Sequence, residues 1–200
     1  MSAGVLFTPV MSRRNPIEEM NVNAQIQTAA TNAADPLLDF DFLCGHWRVA
    51  HRKLAKRLQS CTEWETFEST QECRSLMGGM CNVDEARRTD VRSRDGYVGA
   101  SIRCLNLQTR QWSIFWIGGR DGVLSPVPVV GGFRDGVGIF EADEMFDGYA
   151  IRVRFTWSGI SSLSAHWQQG FSKDGGATWE INWTMAFTRI TAAEYTALQG

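Results

Sequence analysis

Two hundred residues with a formal charge of −2 make one domain, or one domain with a tail, and enough chain for a sizeable core. That near-neutral charge argues against nucleic acid or an anionic membrane as the main partner, and the aliphatic and aromatic content argues against disorder over most of the length. Seventeen of the twenty basic residues are arginine, a bias that suits carboxylate or phosphate recognition but that GC-rich coding also produces.

In chain order, residues 1–34 are poor in aromatics and rich in Ala, Asn, Thr and Gln, and they read as a mobile N-terminal tail. Asp35-Pro36 marks a boundary, because proline restricts the residue before it and starts helices well. Leu37 to Leu43 then predicts one short helical turn. From Trp47 onward the apolar period is two, the spacing of strands. Trp112, Ile114 and Trp116 alternate with polar or opposite-facing neighbours, and so do Tyr149 to Trp157, Ala165 to Phe171 and Trp179 to Phe187. Strict alternation excludes a parallel sheet covered by helices on both faces. Asp-Gly pairs at 95–96, 121–122, 135–136, 147–148 and 174–175 supply the positive φ angles of tight hairpins. Short strands joined in sequence order predict an antiparallel up-and-down meander of about 8–10 strands, closed to remove its edges, over residues 35–190. Thr191 and Glu194 are spaced as a capping box, which predicts a short helix or tail over 191–200.

The five cysteines contain no C-x-x-C pair and are odd in number, which fits free thiols in a reducing compartment better than disulfides or zinc. No stretch approaches a signal-peptide core or a membrane span, so the expected location is cytoplasmic.

Gly45-His46-Trp47 heads the β-patterned region, and Met185-Ala186-Phe187-Thr188-Arg189 closes it. A glycine two residues before a first-strand tryptophan, with an arginine ending the last strand, resembles the signature of the calycins, the superfamily of lipocalin-like β-barrels. The chain also resembles an uncharacterised cytosolic bacterial family carrying Phe-Asp-Phe-Leu-x-Gly-x-Trp, as residues 40–47 do. The resemblance implies a calycin-like barrel plugged at one end by the turn before Gly45, with an interior cavity. It also implies that Arg189 lies across the Trp47 ring, a cation–π contact of ~0.5–2 kcal/mol. Gly45, Trp47 and Arg189 are then structural.

Ser172-Lys173-Asp174-Gly175-Gly176-Ala177-Thr178-Trp179 matches the Asp-box S-x-D-x-G-x-T-W. Sialidase-type propellers carry several such boxes; a single one points to a structural hairpin built by Asp174, Gly176 and Trp179. His46, His51 and His166 lack zinc-enzyme spacing, so no metal site is expected. His46 and His51 face opposite ways on the first strand, and His166 alternates away from the apolar set. No nucleophile elbow, phosphate loop or dinucleotide fingerprint is present, so no catalytic residue is assigned. The acidic group Glu141, Asp143, Glu144 and Asp147 and the basic run from His51 to Arg57 read as solvated strand ends and loops.

Trp112, Trp116, Trp157, Trp167 and Trp183 share the apolar parity of their strands, and Gln169 shares it with them. With that parity inward, these six residues are the candidate ligand-binding set, since pockets are mostly apolar with a few placed polar groups. The expected function is binding of a small hydrophobic or aromatic molecule, without nucleic acid, membrane or obligatory cofactor; a homo-oligomer is compatible with the sequence. Two alternatives stay open: a haem-binding barrel or small-molecule enzyme using His51 or His166, and a solid barrel that interacts through its loops. The segment 118–132 is long enough for a lid or docking surface.

Overall fold

A strand with one apolar face hides that face best in a sheet that closes on itself. The computed structural model describes residues 35–199 and shows such a closed barrel. Ten antiparallel strands follow one another around it: β1 (Gly45–Leu54), β2 (Trp64–Leu76), β3 (Cys81–Arg88), β4 (Tyr97–Asn106), β5 (Gln111–Gly118), β6 (Val129–Arg134), β7 (Val137–Phe146), β8 (Tyr149–Ser158), β9 (Ser164–Ser172) and β10 (Glu180–Ile190). β10 returns to pair with β1, from His46↔Ile190 to Lys53↔Trp183, and completes the ring. The predicted up-and-down β-barrel is therefore present, with ten strands. The predicted tail over residues 1–34 lies outside the described residues.

Turn chemistry accounts for the tight meander. Asp135-Gly136 joins β6 to β7 and Asp147-Gly148 joins β7 to β8, and the four φ values of 52°, 76°, 48° and 81° are all left-handed. Two consecutive positive φ angles match the strand twist of a two-residue hairpin. After β10, Thr191 caps helix α1 (Ala192–Gln199): its Oγ1 accepts from the Glu194 amide at 3.2 Å, and a Glu194 carboxylate oxygen accepts from the Thr191 amide at 2.8 Å. Tyr195 of α1 packs on His46 outside the barrel, with ring centroids 4.6 Å apart.

One end is shut by residues 36–44. The single helical turn expected there is two short 3₁₀ turns, Pro36–Leu38 and Asp41–Leu43. Between them Phe40 enters the barrel, where its ring meets Trp112 edge-on at 5.0 Å and Phe140 at 5.7 Å. The indole N–H groups bind the plug: Trp47 Nε1 donates to Leu43 O at 2.7 Å, and Trp112 Nε1 to Pro36 O at 3.2 Å. Arg189 crosses Trp47, its Cζ 3.8 Å from the ring centroid. Its guanidinium donates to the carbonyls of Cys44, Phe42 and Ser162, three acceptors that one planar fork reaches together.

That clamp explains Gly45. Its φ is +108°, and a Cβ there would stand 2.7 Å from Arg189 Nη1. Gly45→Ala is expected to cost about 1–3 kcal/mol, the usual range for a strained backbone position. Chemical denaturation should show the lowered midpoint; an unchanged midpoint would mean that Arg189 moves aside freely.

Candidate functional site

Barrel register decides which side chains point inward. Trp47, Val49, His51 and Lys53 of β1 stand opposite Gln71, Ser69, Phe67 and Glu65 of β2, and this parity carries around the ring. Above the plug it encloses a cavity of about 600 Å³ that opens at the end opposite Phe40. Such a volume lies within the ~300–1,000 Å³ of small-molecule sites.

The wall from β5 to β10 is aromatic. Trp183 stands edge-on to Trp116 at 5.9 Å and to Trp167 at 5.7 Å, and Phe155 meets Trp167 at 4.9 Å. Trp157 and Phe187 sit deeper, 5.1 Å apart. Gly99 of β4 makes room for this wall, since a Cβ there would lie 2.2 Å from Trp116 Cζ2. Gly99→Ala should displace the Trp116 ring, alter intrinsic fluorescence and cost about 1–3 kcal/mol through overpacking. Unaltered emission together with unaltered stability would show that the wall yields at that point.

Of the six candidate binding residues, Trp116, Trp157, Trp167, Gln169 and Trp183 border the cavity. Trp112 faces inward too, but it is fully buried in the closed-end cluster with Phe40. Gln169 is held by its Nε2, which donates to Asn182 Oδ1 at 2.7 Å. Asn182 sits at the irregularity of β10 between Ile181 and Trp183.

The opposite wall is polar. Arg103 of β4 is buried, and its Nη1 donates to Asn82 Oδ1 at 2.9 Å and to the Asp84 carboxylate. Burial pushes the Asp84 carboxyl up, against the pull of Arg103. Arg103 Nε and Trp157 Nε1 have no hydrogen-bond partner among the described residues, and both side chains border the cavity. Unpartnered buried donors cost about 1–3 kcal/mol each. Both atoms are enclosed in the wall behind the cavity surface.

His51 is 1% exposed. Its Nδ1 accepts from Trp183 Nε1 at 3.2 Å, so Nε2 carries the proton and donates to Ser69 Oγ at 2.8 Å. Burial and the nearby Lys53 and Arg88 bring its pKa down to about 3, and it is neutral at physiological pH. Both ring nitrogens are engaged, so the ring orients Trp183 and is not placed as an axial haem ligand. His166 lies on the outward parity of β9.

The basic run expected to be a wet strand end is corrected here. His51, Lys53 and Arg57 all border the cavity. Lys53 Nζ lies 4.3 Å from the Trp183 ring centroid, and Arg57 Cζ lies 5.6 Å from the centroids of both Phe146 and Phe171. The signal was present in register: Lys53 shares the inward parity of Trp47. The acidic group divides. Glu141 and Asp143 face outward and pair with Arg154 and Arg152, while Glu144 borders the cavity. Burial raises the Glu144 pKa, and Arg57 opposes it.

β6 pairs with β5 over three residues only, from Trp112↔Gly131 near the plug to Ile114↔Val129, so this pairing stops short of the mouth end of β5. The irregular part of the proposed lid is therefore 119–128, since β6 begins at Val129. Gly119, Arg120, Asp121 and Ser125 of that loop border the opening. On the neighbouring rim the Asp-box joins β9 to β10. Asp174 Oδ1 accepts from the Thr178 amide at 2.9 Å, Ser172 Oγ from the Gly176 amide at 2.8 Å, and Trp179 Nε1 donates to Gly176 O at 2.9 Å. The Thr178 hydroxyl and amide hold the Asp174 carboxyl well below the usual carboxylate range.

A scan against protein-family models and a search of curated proteins found no match. No helix among the described residues is long and apolar enough to cross a membrane. The ten-strand antiparallel up-and-down barrel is consistent with a calycin-like fold.

Proposed function

We propose that this chain is a calycin-like container that binds a small aromatic or hydrophobic molecule in the barrel. The observation that carries the reading is the cavity of about 600 Å³, shut at one end and walled by Trp116, Trp157, Trp167 and Trp183. Aromatic edges and faces fixed by packing give a planar ligand contact area at little entropic cost. The Gln169, Ser101 and Arg103 side chains border the cavity and supply the few polar groups that orient it. The five free thiols fit a reducing compartment, and we place the protein there.

The test is native mass spectrometry with an absorption spectrum, on protein purified gently from its own host. A bound small-molecule mass that is lost on denaturation is the expected result. A clean unliganded mass, with no aromatic probe binding at millimolar concentration, would count against the container.

A further inference from the structure

The mouth of the cavity gathers positive charge that the barrel does not neutralise by contact. Lys53, Arg57 and Arg120 all border the opening, from β1, the β1–β2 loop and the β5–β6 loop. Neither Lys53 nor Arg57 belongs to an ion pair among the described residues. Carboxylates stand nearby without pairing directly: Glu180, Asp147 and Glu144 support the Arg57 charge against burial, which leaves Lys53, between Arg57 and Arg120, the less compensated cation. Glu65, opposite Lys53, accepts from Arg88 Nη1 at 3.1 Å. Glu180 accepts the Leu58 amide with both oxygens, at 2.8 and 3.0 Å, and Asp121 Oδ1 accepts the Val123 amide. Glu144, buried beside Arg57, has its pKa raised and so holds its negative charge less readily. Asp147, in the β7–β8 turn, adds to the field that supports Arg57, and Asp95 borders the cavity just before β4, the strand whose start bonds the Arg120 loop through Gly119 N and Val98 O.

Burial, Arg57 and Arg120 together bring Lys53 down to about 8, with Glu65 the one opposing influence. Converging cations over an aromatic cavity raise the energy of the empty barrel, and an anion seated among them would lower it. Lys53 Nζ over the Trp183 ring and Arg57 between Phe146 and Phe171 stand where an aromatic body and an anionic group would meet.

We propose that the ligand is a small aromatic carboxylate, its ring system among Trp116, Trp167 and Trp183 and its carboxylate on Lys53 and Arg57. This rests on the container reading and adds the charge of the occupant.

The experiment compares naphthoate with neutral naphthamide of the same substitution by titration calorimetry, on the full chain and on Lys53→Met and Arg57→Gln. Naphthoate should bind roughly tenfold more tightly than the amide at neutral pH, about one charge-assisted contact. Lys53→Met should abolish that preference while leaving amide affinity unchanged. It should also raise the melting temperature, because a poorly solvated cation beside like charges is removed; a lysine kept for packing alone would give the opposite shift. In the wild type, naphthoate affinity should fall from about pH 7 to about pH 9 as Lys53 loses its proton, with amide affinity flat. His51 is neutral throughout that window and contributes nothing to the change. Equal affinities for the two probes would overturn the anion assignment and leave the container standing. Binding of neither would overturn both.

Discussion

Trp47→Ala is expected to lower stability by about 3–5 kcal/mol, the cost of truncating a fully buried tryptophan, without selectively abolishing ligand binding. Its side chain is 0% exposed and makes three kinds of contact at the closed end. The indole is edge-on to Phe187 at 5.8 Å, its N–H holds the plug at Leu43 O, and Arg189 covers its face. Alanine leaves a void that Arg189 cannot fill, since its fork is tied to three backbone carbonyls. At roughly 2–4 °C per kcal/mol for a chain of this size, the melting temperature should fall by about 6–20 °C. The binding walls lie towards the other end, so affinity for a cavity probe below the melting point should stay within about twofold. Unchanged stability would show that Trp47 does not hold the closed end. Arg189→Lys tests the same clamp by another route: charge is kept, but one ammonium cannot reach carbonyls from both sides as the fork does.

Much of this architecture is legible in the alternation, because on β8, β9 and β10 one parity is largely apolar and aromatic and the other largely polar. Trp112, Trp157, Trp167 and Trp183 take the inner face because that is where their area leaves water. On β3 and β4 the same rule misleads. Asn82, Asp84, Ser101 and Arg103 point in, while Val83 and Ile102 point out and stay partly exposed. A barrel that keeps a polar wall inverts the usual relation between hydropathy and facing. No single strand reveals this; it follows from the register across β1, β2 and β3 that carries the parity of Trp47 to Asp84. The basic run from His51 to Arg57 departs from its hydropathy for a related reason. Arg52, Ala55 and Lys56 are exposed, as hydropathy indicates, but His51, Lys53 and Arg57 border the cavity. The six candidate tryptophan and glutamine positions separate for a third reason, depth. Trp112 belongs to the same face as Trp116, yet four residues along the strand move it by two layers, past Ile114, from the cavity wall into the plug.

Trp183→Ala should give the converse of the Trp47 result, a larger loss of affinity than of stability. Trp183 stands at the centre of the aromatic wall: Trp116 and Trp167 are edge-on to it, Lys53 lies over its face, and His51 fixes its N–H. Unlike Trp47, it borders space that is already open. Truncation there enlarges an existing cavity and loses fewer packed neighbours, so the folding cost should lie near or below the lower end of the ~3–5 kcal/mol range for buried aromatics. A ring-bearing ligand loses a wall worth about 0.5–1.5 kcal/mol in aromatic contact beyond area alone. Loss of buried area adds to it, so affinity for neutral naphthamide should fall by about tenfold or more. Calorimetric titration beside thermal melting separates the two effects. If affinity is untouched while the melting temperature collapses, Trp183 is core packing and the occupied part of the barrel lies nearer Arg103. His51→Phe then distinguishes position from presence: Trp183 remains, but its N–H loses its acceptor. An intermediate loss of affinity is expected, because a ring free to rotate gives up part of what makes it a wall.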